Sequence, residues 1–381
     1  MLGRCFFVLF LALLCCRSAF LYSRDVLDDP QSDDSSSQRL ERYEYSEQKM
    51  GVPVRVVLYA ENKEIAERVV KAVWERFDEL NEILSDYDPE SETIQVCRKL
   101  DAGNFDVDDR ATVSEDLRRV LEESRRYCEI TEGAFDVTVG PIVKLWRRSA
   151  YFHKRPPEDM LLRTQESVGL KAWSLDERGL KTREGTRFDF GGIGKGIALD
   201  SALDIARSFG VESILIDASG DIRVGAAPPG KEGWNIAVAS LNQRPLCYCE
   251  LANAGICSSG DANRWVEIDG VRYSHIIDPR TYEPLTRRCV SAVIAPTATT
   301  ADAFASALCV LGGEEFSKIV ADRARGKDYA QRDGEFFLEY ALVLAKDDAE
   351  PPYEPDEIDV FATALFEKVI KQSDASENDA R

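Results

Sequence analysis

The sequence predicts an α+β fold, and three observations predict it. Five strand-like segments, ESILIDAS, DIRVGAA, WNIAVAS, PLCYCELA and RWVEIDG, follow one another with only Gly, Pro and Asn turns between them. Connections that short join antiparallel neighbours, because a parallel pair needs a crossover of about a dozen residues. Stretches of helical period stand before and after these strands, without the strict alternation of a doubly wound parallel sheet. The expected architecture is largely antiparallel sheets packed with helices.

Each element follows in chain order. The opening MLGRCFFVLFLALLCCRSAF has Arg4 ahead of an apolar run from Cys5 to Cys16. That run is short of the roughly 20 residues of a membrane span, so residues 1–19 read as an export signal, cleaved or kept as an anchor. Cys15 and Cys16 are the positions where a lipoprotein-type leader would carry lipid, although Leu14 stands where such leaders have a small residue. Residues 20–44, rich in Ser, Asp and Gln, read as a disordered tether. VPVRVVLYA then alternates as a strand. Ile65, Val69, Val73, Leu80 and Leu84 recur at helical spacing over 63–84. Ser114 begins a second helix, with Leu117, Val120, Leu121, Tyr127 and Cys128 on its buried stripe. A third helix carries Leu199, Ala202, Leu203, Ala206 and Phe209 and stops at Gly210. RCVSAVIAP is a further strand before the helix TTADAFASALCVLGG. The segment DDAEPPYEPDEID holds seven acidic residues and no basic one, a solvated spacer. Ile358, Phe361, Leu365 and Val369 after it suggest an amphipathic helix, so 347–381 reads as an appendage to a domain spanning 45–346.

Composition narrows the function. The chain has 381 residues and a formal net charge of −20, which excludes nucleic acid and simple attachment to anionic lipid. A phosphate ligand must then be met locally, by backbone amides, a few cations or a metal ion. The seven cysteines beyond the leader contain no CxxC pair and sit in apolar contexts, so they read as buried hydrophobes. Two histidines in the whole chain exclude a structural zinc site.

Four segments carry candidate chemistry. RFDFGGIGKGIALD clusters glycines around Lys195, as backbone does where it must approach a phosphate. It is neither a Walker loop, since Gly196 follows Lys195, nor a dinucleotide fingerprint, since Ile197 stands where the third glycine belongs. AFDVTVGPIVKLW opens on Asp136, read as the start of a short strand ending in a Gly-Pro turn. YSHIIDPRT carries His275. APTATTADAFASALCVLGG places Asp302 and Ser306 four apart on one helix, hence on one face.

With KMGVPVRVVLYA, LSDYDPESE and IDASGDIRVG, these segments resemble the ApbE family of FAD:protein FMN transferases in family order, from about Tyr45 to Lys346. The resemblance implies a T-fold-related domain in which Met50, Tyr87, Ala134, Phe135, Asp136, Asp189, Lys195 and Ile276 contact FAD. It implies a magnesium ion held by the Gly192 carbonyl, Asp302 and Ser306, with His275 serving the chemistry. Three oxygen donors of these kinds suit Mg2+ and leave positions for pyrophosphate and water. The implied activity is transfer of FMN from FAD to a Thr or Ser hydroxyl of another exported protein, with AMP released. The setting would be periplasmic or the outer face of the inner membrane. FAD hydrolysis with water as acceptor, and flavin binding without turnover, use the same pocket and stay open here. The chain departs from the family pattern at three places: Tyr282 and Glu283 follow DPRT where a glycine is usual, Gly194 replaces an alanine, and Ser219 replaces a glycine.

Overall fold

The structure, a computed structural model, describes residues 39–102, 110–241, 245–261, 264–321, 323, 331–332, 335–346, 351 and 353–370. The leader expected over 1–19, with Cys15 and Cys16, and most of the expected tether lie outside the described residues. Among the described residues no helix is long and apolar enough to cross a membrane.

The chain begins with the hairpin β1 (Glu41–Lys49) and β2 (Val52–Ala60), closed by Met50 and Gly51 at φ 48° and 77°. Residues 41–44 are thus strand where the sequence reading has tether. ERYEYSEQK has too few apolar positions to announce a strand; it is held by its nine-residue pairing with β2. Five helices follow: α1 (Lys63–Leu84), α2 (Glu92–Ala102), α3 (Glu115–Ile130), α4 (Gly140–Phe152) and α5 (Glu158–Thr164). The Asn62 side chain caps α1 by accepting from Ile65 N at 3.0 Å, and Ser114 caps α3 as expected, accepting from Leu117 N at 3.1 Å. The hairpin β3 (Trp173–Asp176) and β4 (Gly179–Thr182) leads to α6 (Gly194–Ser208).

Then come β5 (Ile214–Ala218), β6 (Asp221–Val224), the hairpin β7 (Trp234–Val238) and β8 (Cys247–Leu251), and β9 (Ala254–Gly260). A second hairpin, β10 (Trp265–Ile268) and β11 (Val271–Ser274), precedes the short ladder β12 (Ile277–Asp278) and β13 (Glu283–Pro284). Strand β14 (Cys289–Ala295), helices α7 (Ala298–Leu311) and α8 (Gly313–Phe316), the ladder β15 (Gln331–Arg332) and β16 (Glu335–Phe336), β17 (Glu339–Ala345) and β18 (Ile358–Ala362) complete it.

Eight strands form one sheet in the order β1-β2-β5-β6-β9-β14-β17-β18, and every neighbouring pair is antiparallel. The α+β architecture is the expected one. Period-2 alternation sends neighbouring residues to opposite faces. Val54, Val56 and Leu58, Ile214 and Ile216, and Val293 face the helices α1, α6 and α7 in the main core. Val57, Leu215, Ala292 and Ile294 face the other way, against Trp234, Ile236, Cys247 and Cys249 of the β7–β8 hairpin. All seven cysteines are free and buried, as their apolar contexts imply. A third cluster, with Ile142, Trp146, Leu161, Ile268 and Tyr273, seats α4 and α5 against the β10–β11 hairpin.

The C-terminal helical stripe is corrected. Ile358 and Phe361 lie in β18, paired along β17, and a helix starts only at 364. The β-branched run there satisfies an otherwise open sheet edge, which a helix would not. Thr363 marks the change, its N–H donating to the Tyr340 carbonyl at 3.0 Å while its hydroxyl accepts from Tyr340 N at 3.1 Å. The segment past 346 is therefore part of the main sheet, and Phe366 is fully buried on the β7–β8 side. Phe366→Ala is expected to cost about 3–5 kcal/mol of unfolding free energy. Urea denaturation followed by far-UV circular dichroism measures it; a cost under about 1 kcal/mol would mean this helix does not pack on the sheet.

Candidate active site

The site grows from one helix crossing. At Gly196 in the first turn of α6, a Cβ would stand 2.6 Å from the Ala298 carbonyl oxygen and 2.7 Å from Thr299 Cα on α7. Only glycine allows that approach, and it lets Gly196 N–H donate to Asp302 Oδ2 at 3.0 Å. One turn further on, Asp200 accepts from Ala298 N, Thr299 N and the Thr299 hydroxyl at 3.0, 2.9 and 2.6 Å, capping the start of α7. Arg223 of β6 pairs with Asp200 at 2.8 Å.

This crossing gathers the three residues of the implied metal set. A Cβ on Gly192 would come within 2.9 Å of Ser306 Oγ and 3.4 Å of the Phe135 ring, so the loop backbone lies directly against both. Asp302 and Ser306 are one turn apart on α7. Among the described residues Ser306 has no side-chain hydrogen bond and Asp302 has one, so oxygens of both remain for a cation. Burial raises the Asp302 pKa, while Lys195 and the Gly196 amide pull it back. The donor set is hard oxygen and fits Mg2+. Among the described residues no three His, Cys, Asp or Glu side chains gather as a metal cluster, so further ligands would come from substrate and water.

Lys195 forms an ion pair with the buried Asp221 of β6, whose other oxygen accepts from Ser258 N at 3.0 Å. Its charge still bears on both Asp302 and His275 and so links the two halves of the site. His275 follows β11 directly. Its N–H donates to the Arg264 carbonyl at 3.0 Å, and Nδ1 lies 3.2 Å from the same oxygen. A carbonyl only accepts, so Nδ1 carries the proton and Nε2 is left as the basic nitrogen. The residue is exposed to solvent, while the protein around it, and then the Arg264 charge, hold its pKa down at about 4. Ile276 beside it is buried in the main core.

The GAFD segment is corrected in detail. Asp136 starts no strand: its carboxylate accepts from Thr138 N at 2.8 Å and Thr138 Oγ1 at 2.6 Å, capping a single 3-10 turn, Val137–Val139, that runs into α4. Local capture of the amide by the Asp side chain outcompetes the β-branched VTV run. Burial raises the Asp136 pKa. Ala134 and Phe135 are buried, and the Phe135 ring meets Tyr127 edge-on at 6.4 Å.

Asp189 accepts from Gly191 N at 2.9 Å, which folds the glycine loop back on itself. Its other oxygen lies 3.3 Å from Arg147 of α4, whose guanidinium also pairs with Asp86 at 2.6 Å and lies 4.6 Å from the Tyr87 ring centre. Tyr87 is 76% exposed, a flat aromatic surface held beside the loop. Met50 reaches the same place from the β1–β2 turn, its Cε 3.8 Å from where a Gly194 Cβ would stand. An alanine at 194 would thus meet only ordinary contacts. The other two departures are accommodated by backbone: Tyr282 and Ser219 adopt φ 64° and 60°, the left-handed conformation that glycine takes most readily. The Tyr282 carbonyl accepts from the Trp146 indole at 3.0 Å, which helps hold that turn.

Sequence reasoning did not single out Asp86, Arg147, Asp221 or Arg264. Asp86 and Asp221 fall inside motifs already quoted, LSDYDPESE and IDASGDIRVG. Arg147 lies on the solvent side of a helix and Arg264 in a connection, where neither spacing nor composition gives a signal.

Comparison with known proteins places this arrangement. Residues 50–329 match the model of the ApbE family. The FAD:protein FMN transferase of Vibrio cholerae is 34% identical over 254 residues, covering 64% of this chain and 73% of that protein. The one from Haemophilus influenzae is 30% identical over 256 residues, covering 64% and 74%. A variant of the Vibrio cholerae flavin transferase ApbE superposes with a TM-score of 0.71 at 25% identity, over 86% of this chain and 99% of that one. The ApbE protein of Thermotoga maritima gives 0.71 at 27%, with the same coverage. These likenesses define the class, an α+β protein with the flavin-transferase fold. The chain belongs to the ApbE family.

Gly196→Ala tests the crossing. The added methyl must push α7 away and break the Gly196–Asp302 hydrogen bond, at about 1–3 kcal/mol for overpacking. The melting temperature is expected to fall by several degrees, with Gly194→Ala as a near-neutral control. Equal melting temperatures for the two variants would show that the helices do not meet at Gly196.

Proposed function

We propose that this protein transfers FMN from FAD to a Thr or Ser hydroxyl of an exported target protein and releases AMP, a post-translational flavinylation. The observation that carries the reading is the meeting of Gly192, Asp302 and Ser306 at the α6–α7 crossing, with Lys195 bearing on both Asp302 and His275. The names of the relatives at 34% and 30% identity, FAD:protein FMN transferase, support it.

In this reading the glycine loop brings backbone up to the FAD pyrophosphate, and Asp302, Ser306 and the Gly192 carbonyl hold Mg2+. A bound Mg2+ supplies Lewis-acid stabilisation of phosphate charge. Met50 and Tyr87 offer apolar and aromatic surface for the flavin and adenine, and the buried Phe135 and Ile276 back the glycine loop and His275. Asp136 and Asp189 rigidify the loops that carry those surfaces. His275 Nε2 takes the acceptor hydroxyl proton as the oxygen bonds to the FMN phosphorus. The bond from that phosphorus to the AMP oxygen breaks, and AMP leaves with the electron pair. The short apolar run near the N-terminus supports export, with the enzyme in the periplasm or tethered to the outer face of the inner membrane.

Purified protein incubated with FAD and Mg2+, with and without a candidate acceptor, tests the reading. AMP released only with acceptor, together with flavin on the acceptor by mass spectrometry, is the expected result. AMP without acceptor would make the protein an FAD pyrophosphatase, and bound FAD with no AMP would make it a flavin carrier. Asp302→Ala is expected to lose most Mg2+-dependent turnover, because two neutral oxygens hold a divalent ion poorly; full turnover at low Mg2+ would reject the metal site.

His275→Asn is expected to bind FAD normally and to react roughly 10²–10⁴-fold more slowly in a single turnover. The pH dependence has a definite sign. A histidine whose folded pKa is about 4 stays a competent base well below pH 6.5, so the acid limb of single-turnover release belongs nearer pH 4 than 6.5. The same shift costs stability as pH falls from 6.5 towards 4, where the unfolded chain binds a proton that the folded one does not. A limb at pH 6.5 that vanishes in His275→Asn would overturn this placement of the imidazole.

A further inference from the structure

We propose that Arg264 is the cation that meets the pyrophosphate of the dinucleotide, and that its backbone holds the histidine in register with that contact. The proposal rests on the reading of FAD as donor and adds to it a binding residue that the motifs do not mark.

The cations around the site are otherwise committed. Lys195 is paired with Asp221, Arg147 with Asp86 and Asp189, Arg272 with Asp261, and Arg280 with Asp278 and Glu315. Arg264 is exposed and, among the described residues, its side chain has no carboxylate partner and no hydrogen bond. In a chain of net charge −20, a guanidinium left unpaired beside the candidate base is a ready site for an anion. Arginine also suits phosphate in shape, since its planar fork donates two parallel hydrogen bonds to two oxygens.

Placement points the same way. The Arg264 carbonyl accepts from His275 N at 3.0 Å and lies 3.2 Å from Nδ1, so the two residues are coupled through the backbone. The Arg264 charge acts on His275 and also on Tyr87, which comes from a separate element. Asp261 is fully buried, accepts from Cys289 N at 3.1 Å and pairs with Arg272, which lies 4.9 Å over the Trp265 ring. Arg264 directly precedes β10, and its side chain is open to solvent. The charged groups bearing on His275 are Arg264, Asp261 and Lys195, and of these only Arg264 has no ion-pair partner among the described residues.

The test uses the full chain and Arg264→Gln and Arg264→Lys variants. Flavin fluorescence titrations compare FAD with riboflavin, which has no phosphate. Arg264→Gln is expected to weaken FAD binding roughly 10–100-fold, the usual cost of a lost charged hydrogen bond, and riboflavin binding by less than about 2-fold. Arg264→Lys should recover part of the loss. Ring-proton NMR of His275, with His153 as internal control, gives a second readout that needs no substrate. Burial keeps the midpoint low, but it should rise from about 4 in Arg264→Gln and not in Arg264→Lys. Unchanged FAD affinity in Arg264→Gln, or an equal loss for FAD and riboflavin, overturns the phosphate contact. An unmoved His275 midpoint shows that the Arg264 charge does not reach the imidazole and overturns the placement of the guanidinium beside it. Failure of the transferase reading looks different: the parent protein would bind FAD and release no AMP, or would not bind FAD at all.

Discussion

The absence of a side chain at Gly196 is the constraint on which the site depends. Helix α7 lies so close to α6 that a methyl group would overlap its backbone, and that closeness brings Asp302 within reach of a helix N-terminal amide. The amide helps support a buried carboxylate that burial alone would favour in its protonated form. Asp200 secures the same crossing one turn along by capping α7 from α6. Ser306 rides on α7, and the Gly192 backbone lies just ahead of α6 against it. Geometry at the candidate metal position is thus set largely by a helix pair.

The same helix pair explains how so acidic a protein can accept an anionic substrate. Net charge acts at long range and is screened within about 8 Å at physiological salt. What counts at the site is local, and there the acids are turned inward. Asp200, Asp221 and Asp261 are buried, each paired with a basic residue of the sheet or a neighbouring element.

Much of the architecture was legible because it is written in periodicity. The stripes of α1 and α3, the alternation of β2 and β5, and the buried face of Cys247 and Cys249 are local patterns that tertiary structure reinforces. The glycine loop, His275, Asp302 and Ser306 were legible as motifs, and the fold gathers them. The errors came where tertiary context outweighed local preference. β1 is too polar to read as a strand and exists through its partner. Asp136 diverts a β-branched run into a helical turn by taking the Thr138 amide. Ile358 and Phe361 fit a helical stripe equally well, and the open edge of β17 decides for strand. Arg147 and Arg264 were invisible because a surface arginine gains meaning only from what lies across from it.

The two outer strands of the sheet, β1 and β18, have a consequence for how the protein behaves among copies of itself. An unpaired strand edge is a template for another chain. Among the described residues no strand pairs with the outer edge of β1 or β18; the β1 edge carries Glu41, Arg42, Glu44 and Glu47, and the five-residue β18 edge includes Asp359. Docking a second sheet against either edge would bring these charges out of water and against their own kind. Crowded copies are thereby kept from stacking edge to edge into fibrils.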